Sequence, residues 1–280
     1  ASPLATTARA VKTNPGGKAP TMNRRINLNA DLGESFGAWT MGSDAELLAT
    51  VNSANIACGF HAGDPLVMRT TLRHARAAGV GVGAHPSFPD LQGFGRRPMQ
   101  LPPAELEAVL IYQMAALAGM AQAEGVKMGH VKPHGALSNM ACTDAALART
   151  VVTAIRAFDA DLILLAPACS ALFTAGAEAG LRVVAEIFAD RAYQDDGSLV
   201  PRSRPDAMIH GAEASLAHVT AMLAEQALIS ANGVRRRTVR ASAFFVGDVL
   251  DDLLERGVGD PIDHHLVRID GLKLALEDLA

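Results

Sequence analysis

Short apolar runs alternate with amphipathic segments along most of the chain, beginning near residue 25. The amphipathic segments have the period of a helix and lie at 64–79, 102–125, 144–158, 170–180 and 213–229. The apolar runs have the length of buried strands and lie at 26–30, 55–58, 80–84, 130–133, 162–166, 183–188 and 240–246. This alternation predicts right-handed βαβ units and a parallel sheet, which is either open or closed into a barrel.

Polar residues follow almost every predicted strand at its C-terminal end. In an open sheet the functional groups gather at one switch point, whereas in a barrel the ends of all strands converge on one rim. The spread of these residues over six strands therefore favours a barrel. They are Asn29, Asp31, His61, Asp64, His85, Lys132, His134, Asp190, Arg191 and Asp248.

Composition and charge argue against nucleic-acid-binding, membrane and disulfide-rich proteins. The chain has 280 residues, 49% of them apolar, and a net charge of −4 without a concentrated basic face. It also lacks an uninterrupted apolar stretch of about 20 residues, so we expect neither nucleic-acid nor membrane binding. The three cysteines, Cys58, Cys142 and Cys169, are far apart and odd in number, which argues against a disulfide framework and favours a cytoplasmic location.

Residues 1–24 carry no acidic residue and no signal-peptide pattern, and we expect a flexible N-terminal extension or a remnant of cloning there. No repeat or linker divides residues 25–280, which we predict to form a single domain. No nucleotide-binding P-loop motif and no Gly-x-Ser-x-Gly nucleophile motif occurs in the chain.

Two carboxylates, Asp31 and Glu34, directly follow the first predicted strand. Such a pair can act as base, as metal ligand or as binder of a cation, although an isolated acid pair is more often a solvated turn. Asn27 and Asn29 share one face of the preceding strand, which predicts a polar network around Asp31.

Two further strands end in histidines, His61 and His85. Together with Asp31 they form a possible metal-ligand set, although they do not match the His-Glu-x-x-His pattern. Asp64 is expected to cap the predicted helix rather than to act in the site, because it stands at the N-cap position. Cys58 is a possible nucleophile, but a buried thiol is more often inert.

The fourth predicted strand carries three basic groups on one face, namely His130, Lys132 and His134. A lysine that points into a barrel needs a carboxylate partner or an anionic ligand, and Asp31 and Glu34 are the candidate partners. His134 is suited to proton transfer near neutral pH.

Two arginine-containing segments could either bind a ligand or be ordinary surface segments. Arg96 and Arg97 end a glycine-rich loop and could clamp a carboxylate or phosphate, or form a solvated surface pair. Asp190 and Arg191 begin a long charged loop that could close over a substrate, or could form a surface ion pair.

Five of these segments together resemble the LamB/YcsF family, whose members are described as the A subunit of the prokaryotic 5-oxoprolinase. The matching stretches cover roughly residues 25–205 and read INLNADLGESFGAW, SANIACGFHAGDP, GAHPSFPDLQGFGRR, HVKPHGAL and EIFADRAYQDDGSLVPR. The resemblance implies an α/β fold, a distorted TIM-barrel-like (β/α)7 barrel related to the glycoside hydrolase/deacetylase superfamily.

The resemblance also implies an activity and a set of site residues. The expected reaction is the ATP-dependent hydrolysis of 5-oxoproline to glutamate, with Mg²⁺ accompanying ATP, no organic prosthetic group, and the 5-oxoprolinase B and C subunits as partners. The expected catalytic residues are Asp31, Glu34, His61, His85, Lys132 and His134. The expected substrate- or phosphate-binding residues are Asn29, Asn55, Arg96, Arg97, Asp190 and Arg191.

The sequence departs from the family pattern at three places. Ser138 stands where the family usually has a tyrosine, and Val246-Gly247-Asp248 stands where it commonly has His-Gly-Asp. Residues 249–280 are an atypical C-terminal tail.

Two other functions remain open at this point, a metal-dependent deacetylase or amidohydrolase that uses Asp31, His61 and His85, and a degenerate subunit that only binds ligand. Homo-oligomer formation is also open.

Overall fold

Seven parallel strands close into a barrel in the computed structural model, which describes residues 27–237 and 243–245. The strands, in their order around the barrel, are β1 (Asn27–Leu32), β2 (Ser53–Ala57), β3 (Gly81–His85), β4 (Met128–Val131), β5 (Ile163–Pro167), β6 (Arg182–Phe188) and β9 (Ala243–Phe245). β9 pairs with β6 on one side and with β1 on the other, and this pairing closes the barrel. The predicted (β/α)7 barrel is therefore confirmed.

Helices follow most of the strands and cover the outside of the barrel. They are α1 (Asp44–Leu48), α2 (Pro65–Ala78), α3 (Pro103–Ala123), α4 (Gly135–Thr143), α5 (Ala145–Phe158), α6 (Ala171–Glu178) and α7 (Ala212–Glu225). The predicted limits of α2 are confirmed, because the Asp64 carboxylate accepts hydrogen bonds from the Leu66 and Val67 amides and Gly79 has a φ of 69°.

The helix predicted over 213–229 is wrong at its C-terminal end. α7 stops at Glu225, Gln226 adopts a left-handed conformation, and Ala227–Ile229 forms a short strand, β7. β7 pairs antiparallel with β8 (Arg235–Arg237) outside the barrel. A short apolar run has the same pattern in a buried strand and in a helix, so the periodicity could not separate them.

α3 bears on the expectation that the chain lacks an apolar segment long enough to span a membrane. Its 21 residues are long and apolar enough to cross a membrane by length and composition. In this structure α3 packs against α2 and α5, and residues including Leu106, Leu110 and Leu117 are buried against the barrel core.

The strand register brings the C-terminal ends of β1 to β4 to the same level. Asp31 is paired with Asn55, Asn55 with Gly83, and Gly83 with His130. Gly83 has no side chain, and a Cβ atom there would collide with the His130 ring. The glycine therefore allows His130 to lie across β3, where its Nε2 atom is 2.9 Å from Asn55 Oδ1.

Several sequence predictions fall on residues outside the described ranges. These are the extension at 1–24, the tail at 249–280, and Val246, Gly247 and Asp248 of the last predicted strand.

Candidate functional site

A buried lysine and two carboxylates form the centre of the polar network at the C-terminal ends of the strands. Lys132 Nζ lies 3.2 Å from Asp31 Oδ1 and 3.0 Å from Glu186 Oε1, and it donates to Asn29 Oδ1 at 3.2 Å. Asn55 Nδ2 connects the same groups, donating to Asn29 Oδ1 at 2.7 Å and to Asp31 Oδ1 at 2.9 Å. Lys132 therefore contacts two carboxylates and one amide oxygen, and Lys132 and Asn55 together hold Oδ1 of Asp31 in place.

The network also determines the charge of its members. Burial acts to raise the pKa of Asp31, but the charges of His85 and Lys132 outweigh burial and hold this pKa well below its usual range. Burial acts to lower the pKa of Lys132, and the Asp31 and Glu186 carboxylates reverse the effect and raise it. Both Asp31 and Lys132 are therefore ionised at neutral pH.

A cluster of three imidazoles and one carboxylate lies next to Asp31. His85 Nε2 is 3.1 Å from Asp31 Oδ2 and 2.9 Å from His134 Nδ1. The His61 and His134 rings stack with their centroids 3.9 Å apart, and His61 Nε2 is 3.1 Å from Glu34 Oε1. We call Glu34, His61, His85 and His134 the histidine cluster.

Burial shifts the pKa values of Glu34, His61 and His134 in a direction that favours their neutral forms. Desolvation is the largest cause that holds the pKa values of His61 and His134 well below the usual value for histidine. Desolvation also raises the pKa of Glu34. The cluster therefore combines two imidazoles that take up a proton less readily than an exposed histidine, His61 and His134, with a carboxyl group that takes up a proton more readily than an exposed glutamate.

Asp31 and three members of the histidine cluster, Glu34, His85 and His134, line a cavity of about 700 Å³. This volume lies within the range of roughly 300–1,000 Å³ that is typical of small-molecule sites. Arg96 lines the wall, with its guanidinium carbon 5.0 Å from the centre of the Phe94 ring. Ser138, where the family usually has a tyrosine, also lines the cavity and lies in α4. The cavity is thus lined by a cationic group and by the polar residues at the strand ends.

The structure brings most of the predicted site residues together. Those that line the cavity are Asp31, Glu34, His85, Arg96, Lys132, His134 and Arg191. His61, Asn29 and Asn55 lie behind this lining and contact it through the hydrogen bonds described above.

Two predicted residues are placed elsewhere. Arg97 forms an ion pair with Asp90, and its side chain is 63% exposed and does not line the cavity. Asp190 is buried beneath the loop, where its backbone carbonyl accepts a hydrogen bond from the Ile209 amide. The structure therefore separates Arg96 from its neighbour Arg97, although the two are alike in the sequence.

The contacts of Asp64 and Cys58 support structural roles for both residues, as a helix cap and as a buried thiol. Asp64 caps α2 and also accepts a hydrogen bond from the Gly37 amide at 2.7 Å. Cys58 is buried, its thiol donates to the Ile56 carbonyl, and burial raises its pKa to about 12. The Cys58 thiol is therefore protonated at neutral pH and unsuited to nucleophilic attack.

Glu186 belongs to the polar network of the candidate site, and the sequence predictions did not include it. It lies in β6, is fully buried, and forms an ion pair with Lys132. The signal was present, because a glutamate within the apolar stretch Val183–Phe188 has no reason to be buried without a cationic partner. The residue was overlooked because it lies within its strand, whereas the other polar site residues were expected after the strand ends.

The candidate metal ligands also differ from those expected. The ligand atoms of Glu34, His61, His85 and His134 all lie within 4.8 Å of one another. Asp31, which the sequence suggested as a ligand, is instead bound to Lys132 and Asn55 through Oδ1 and faces the cluster only through Oδ2.

Comparisons with known proteins agree with this fold. A family model described as the LamB/YcsF family matches residues 26–249. A relative from Azoarcus sp., named as the A subunit of 5-oxoprolinase, is 63% identical over 224 residues, which cover 80% of this chain and 88% of the relative. A relative of the same name from Bordetella pertussis is 50% identical, with coverage of 91% and 96%. The crystal structure of a lactam utilization protein from Thermus thermophilus superposes with a TM-score of 0.78 at 40% identity, with coverage of 91% of this chain and 96% of that one. The chain therefore belongs to the LamB/YcsF family.

Proposed function

We propose that this chain is the A subunit of a 5-oxoprolinase and hydrolyses the γ-lactam of 5-oxoproline to glutamate together with partner subunits. The observation that carries the proposal is the 63% identity to a relative named as the A subunit of 5-oxoprolinase, over 88% of that relative's length. The structure supports it with a cavity that contains an ionised carboxylate, an arginine and a cluster of buried histidines.

The reaction needs a base, because water must lose a proton as it attacks the lactam carbonyl. We assign this role to Asp31, which lines the cavity and whose Oδ1 atom is held by Lys132 and Asn55 while Oδ2 lies 3.1 Å from His85 Nε2. Lys132 acts as a positioning residue through its contacts with Asn29, Asp31 and Glu186.

Negative charge develops on the carbonyl oxygen, or on a phosphate attached to it, as water adds to the carbonyl carbon. The carbonyl then re-forms, the amide bond breaks, and the ring nitrogen takes up the proton that the base removed from water. Arg96 lines the cavity and is the group we assign to stabilise this charge. Glu34, His61, His85 and His134 complete the proposed catalytic set, because their ligand atoms converge beside Asp31. Arg191, whose guanidinium donates to the Val200 carbonyl, is proposed to hold the loop over the substrate.

We further propose that ATP, accompanied by Mg²⁺, is consumed by the assembled enzyme and that the B and C subunits of 5-oxoprolinase are the partners. The relatives are themselves named as one subunit of an enzyme, which supports a multi-subunit assembly. A cytoplasmic location is part of the same proposal.

The experiment measures 5-oxoproline-dependent ATP hydrolysis and glutamate release by the chain with and without the B and C subunits. Arg96→Ala and its neighbour Arg97→Ala form a matched pair. We expect glutamate release to fall about 100-fold for Arg96→Ala, as for the loss of one charge-stabilising donor. Arg97→Ala should stay within about twofold, because its partner Asp90 lies outside the cavity.

The outcomes separate the proposal from its alternatives. Asp31→Asn should abolish glutamate release while thermal unfolding stays cooperative, and full activity of that variant would overturn the assigned role. Absence of lactam turnover by the complete assembly, with 5-oxoproline still bound, would instead favour a subunit that only binds ligand.

A metal-dependent amidohydrolase is the second candidate function, and the histidine cluster is the observation that favours it. Hydrolysis of a simple N-acetyl amide by the isolated chain, without ATP and partner subunits, would support this second candidate over the first.

A further inference from the structure

Backbone carbonyl groups set the hydrogen positions on two imidazoles of the histidine cluster. His85 Nδ1 lies 2.6 Å from the Lys132 carbonyl oxygen, and His134 Nε2 lies 2.8 Å from the Phe94 carbonyl oxygen. A carbonyl oxygen can only accept a hydrogen bond, so each of these nitrogens carries a hydrogen and donates it. An imidazole that carries a single hydrogen has a lone pair on its other nitrogen. In His85 this nitrogen is Nε2, and in His134 it is Nδ1.

These two lone pairs point at each other. His85 Nε2 and His134 Nδ1 are 2.9 Å apart, which is hydrogen-bond distance between two atoms that both accept. Two carboxylate oxygens add to the conflict, with Asp31 Oδ2 3.1 Å from His85 Nε2 and Glu34 Oε1 3.5 Å from His134 Nδ1. A buried group of acceptors at these distances requires a positive charge between them.

The spacing of the acceptors matches a metal ion. The separations within the cluster include 2.9, 3.1 and 3.5 Å, and all four ligand atoms lie within 4.8 Å of one another. Zinc bound tetrahedrally at about 2.1 Å places its ligands roughly 3.4 Å apart. Small movements of the side chains therefore suffice to bring the four atoms to a common centre.

We propose that Glu34, His61, His85 and His134 bind one divalent transition-metal ion of the zinc class. Three imidazole nitrogens and one carboxylate oxygen favour such an ion over Mg²⁺ or Ca²⁺, which prefer oxygen ligands. The carbonyls of Lys132 and Phe94 are outer partners that fix the ring orientation, as is usual for histidine ligands. A bound ion of this class supplies a Lewis acid at the floor of the cavity.

Metal binding is measured without substrate or partner subunits, so its outcome is independent of the proposed function. The full chain is purified and its metal content measured, then stripped with a chelator and titrated with Zn²⁺ by calorimetry. Titration with Co²⁺ gives a second readout, a visible absorption band typical of cobalt with few ligands. We expect one ion per chain and a higher thermal unfolding temperature when the ion is bound.

Two ligand variants and one control locate the site. His134→Gln and Glu34→Gln should weaken Zn²⁺ binding by about 100-fold or more, beyond the 10–100-fold typical of losing an outer partner. Glu34→Gln keeps the size of the side chain and serves if His134→Gln fails to fold. His130→Gln is the control, because His130 is equally buried in the barrel but contacts Asn55 and is not one of the four ligands.

Two results would overturn the proposal. The first is a wild-type chain that binds neither Zn²⁺ nor Co²⁺ at micromolar concentration, which would mean that a shared proton holds the cluster together. The second is Zn²⁺ binding that survives both ligand variants unchanged, which would place the ion elsewhere on the chain.

Discussion

At the residue scale, the site is a set of ionisable groups whose neighbours decide their state. Asp31 and Glu34 are three positions apart, yet the pKa of Asp31 is lowered and that of Glu34 is raised. The difference arises because His85 and Lys132 together outweigh burial at Asp31, while burial dominates at Glu34. Both carboxylates could be identified from the sequence, but their opposite shifts depend on His85 and Lys132, which lie far away along the chain.

Gly95 provides a test of how closely the histidine cluster is packed. It has a φ of 64°, and a Cβ atom there would collide with Ser87 Oγ and lie 2.9 Å from His134 Cδ2 and 3.0 Å from His61 Cβ. Gly95→Ala should therefore displace the imidazoles, lower glutamate release by the assembled enzyme at least tenfold, and cost about 1–3 kcal/mol of folding free energy from overpacking.

Gly79→Ala is the matched control for this prediction. Gly79 has a φ of 69°, but no atom of the described residues lies within 4 Å of the position of its Cβ atom. The substitution should cost about 1 kcal/mol from backbone strain alone and leave activity unchanged. Equal effects of the two variants on activity, measured beside urea unfolding curves, would contradict a tightly packed cluster.

At the element scale, the sequence predicted five of the described helices and missed α1 and α4. α2 has Asp64 and Gly79 at its ends and was predicted within two residues. α1 is only five residues long, and its N-cap side chain, Ser43, makes no capping hydrogen bond. α4 begins after His134 without a side-chain cap, because that imidazole is occupied in the site. In α4, the contacts that His134 makes in the site thus replace the capping hydrogen bond that would have marked the start of the helix.

The contact between α2 and α3 depends on one glutamate that directly follows α3. Glu124 forms ion pairs with Arg69 and Arg73 of α2, and its backbone carbonyl accepts a hydrogen bond from Arg76. Hydrogen bonds from Arg73 and Arg69 lower the pKa of Glu124 to about 2. A carboxyl group whose pKa is lower in the folded state stabilises the fold above its unfolded pKa of about 4.3.

We therefore expect Glu124→Gln to lower the thermal unfolding temperature at pH 7. The difference from wild type should shrink as the pH falls from about 4 toward 2, where the wild-type carboxylate takes up its proton. This difference is measured from the thermal unfolding temperatures of the wild type and of Glu124→Gln across this pH range. Glu178→Gln is the control, because Glu178 is exposed at the end of α6. A difference that does not depend on pH would contradict the ion-pair explanation.

At the scale of the whole molecule, the closed barrel explains why the site could be recognised before its geometry was known. The C-terminal ends of parallel strands meet at one rim, so the position of a residue in its strand nearly determines its place in the site. Asp31, His85 and Lys132 could be found in this way. Glu186 could not, because it points into the same space from within β6, and neither could the difference between Arg96 and Arg97, which depends on Asp90.

Closure of the barrel depends on β9, a strand of three residues that joins β6 to β1. A chain that ends after residue 237 lacks β9 and leaves both neighbouring strands with unpaired edges, which favour aggregation. A chain that ends after residue 249 retains β9 and the whole region matched by the family model. We expect the shorter chain to aggregate or to lose cooperative thermal unfolding, and the longer one to remain monodisperse in size-exclusion chromatography with a single unfolding transition. Equal unfolding temperatures of the two chains would show that six strands suffice and that β9 is not required for closure.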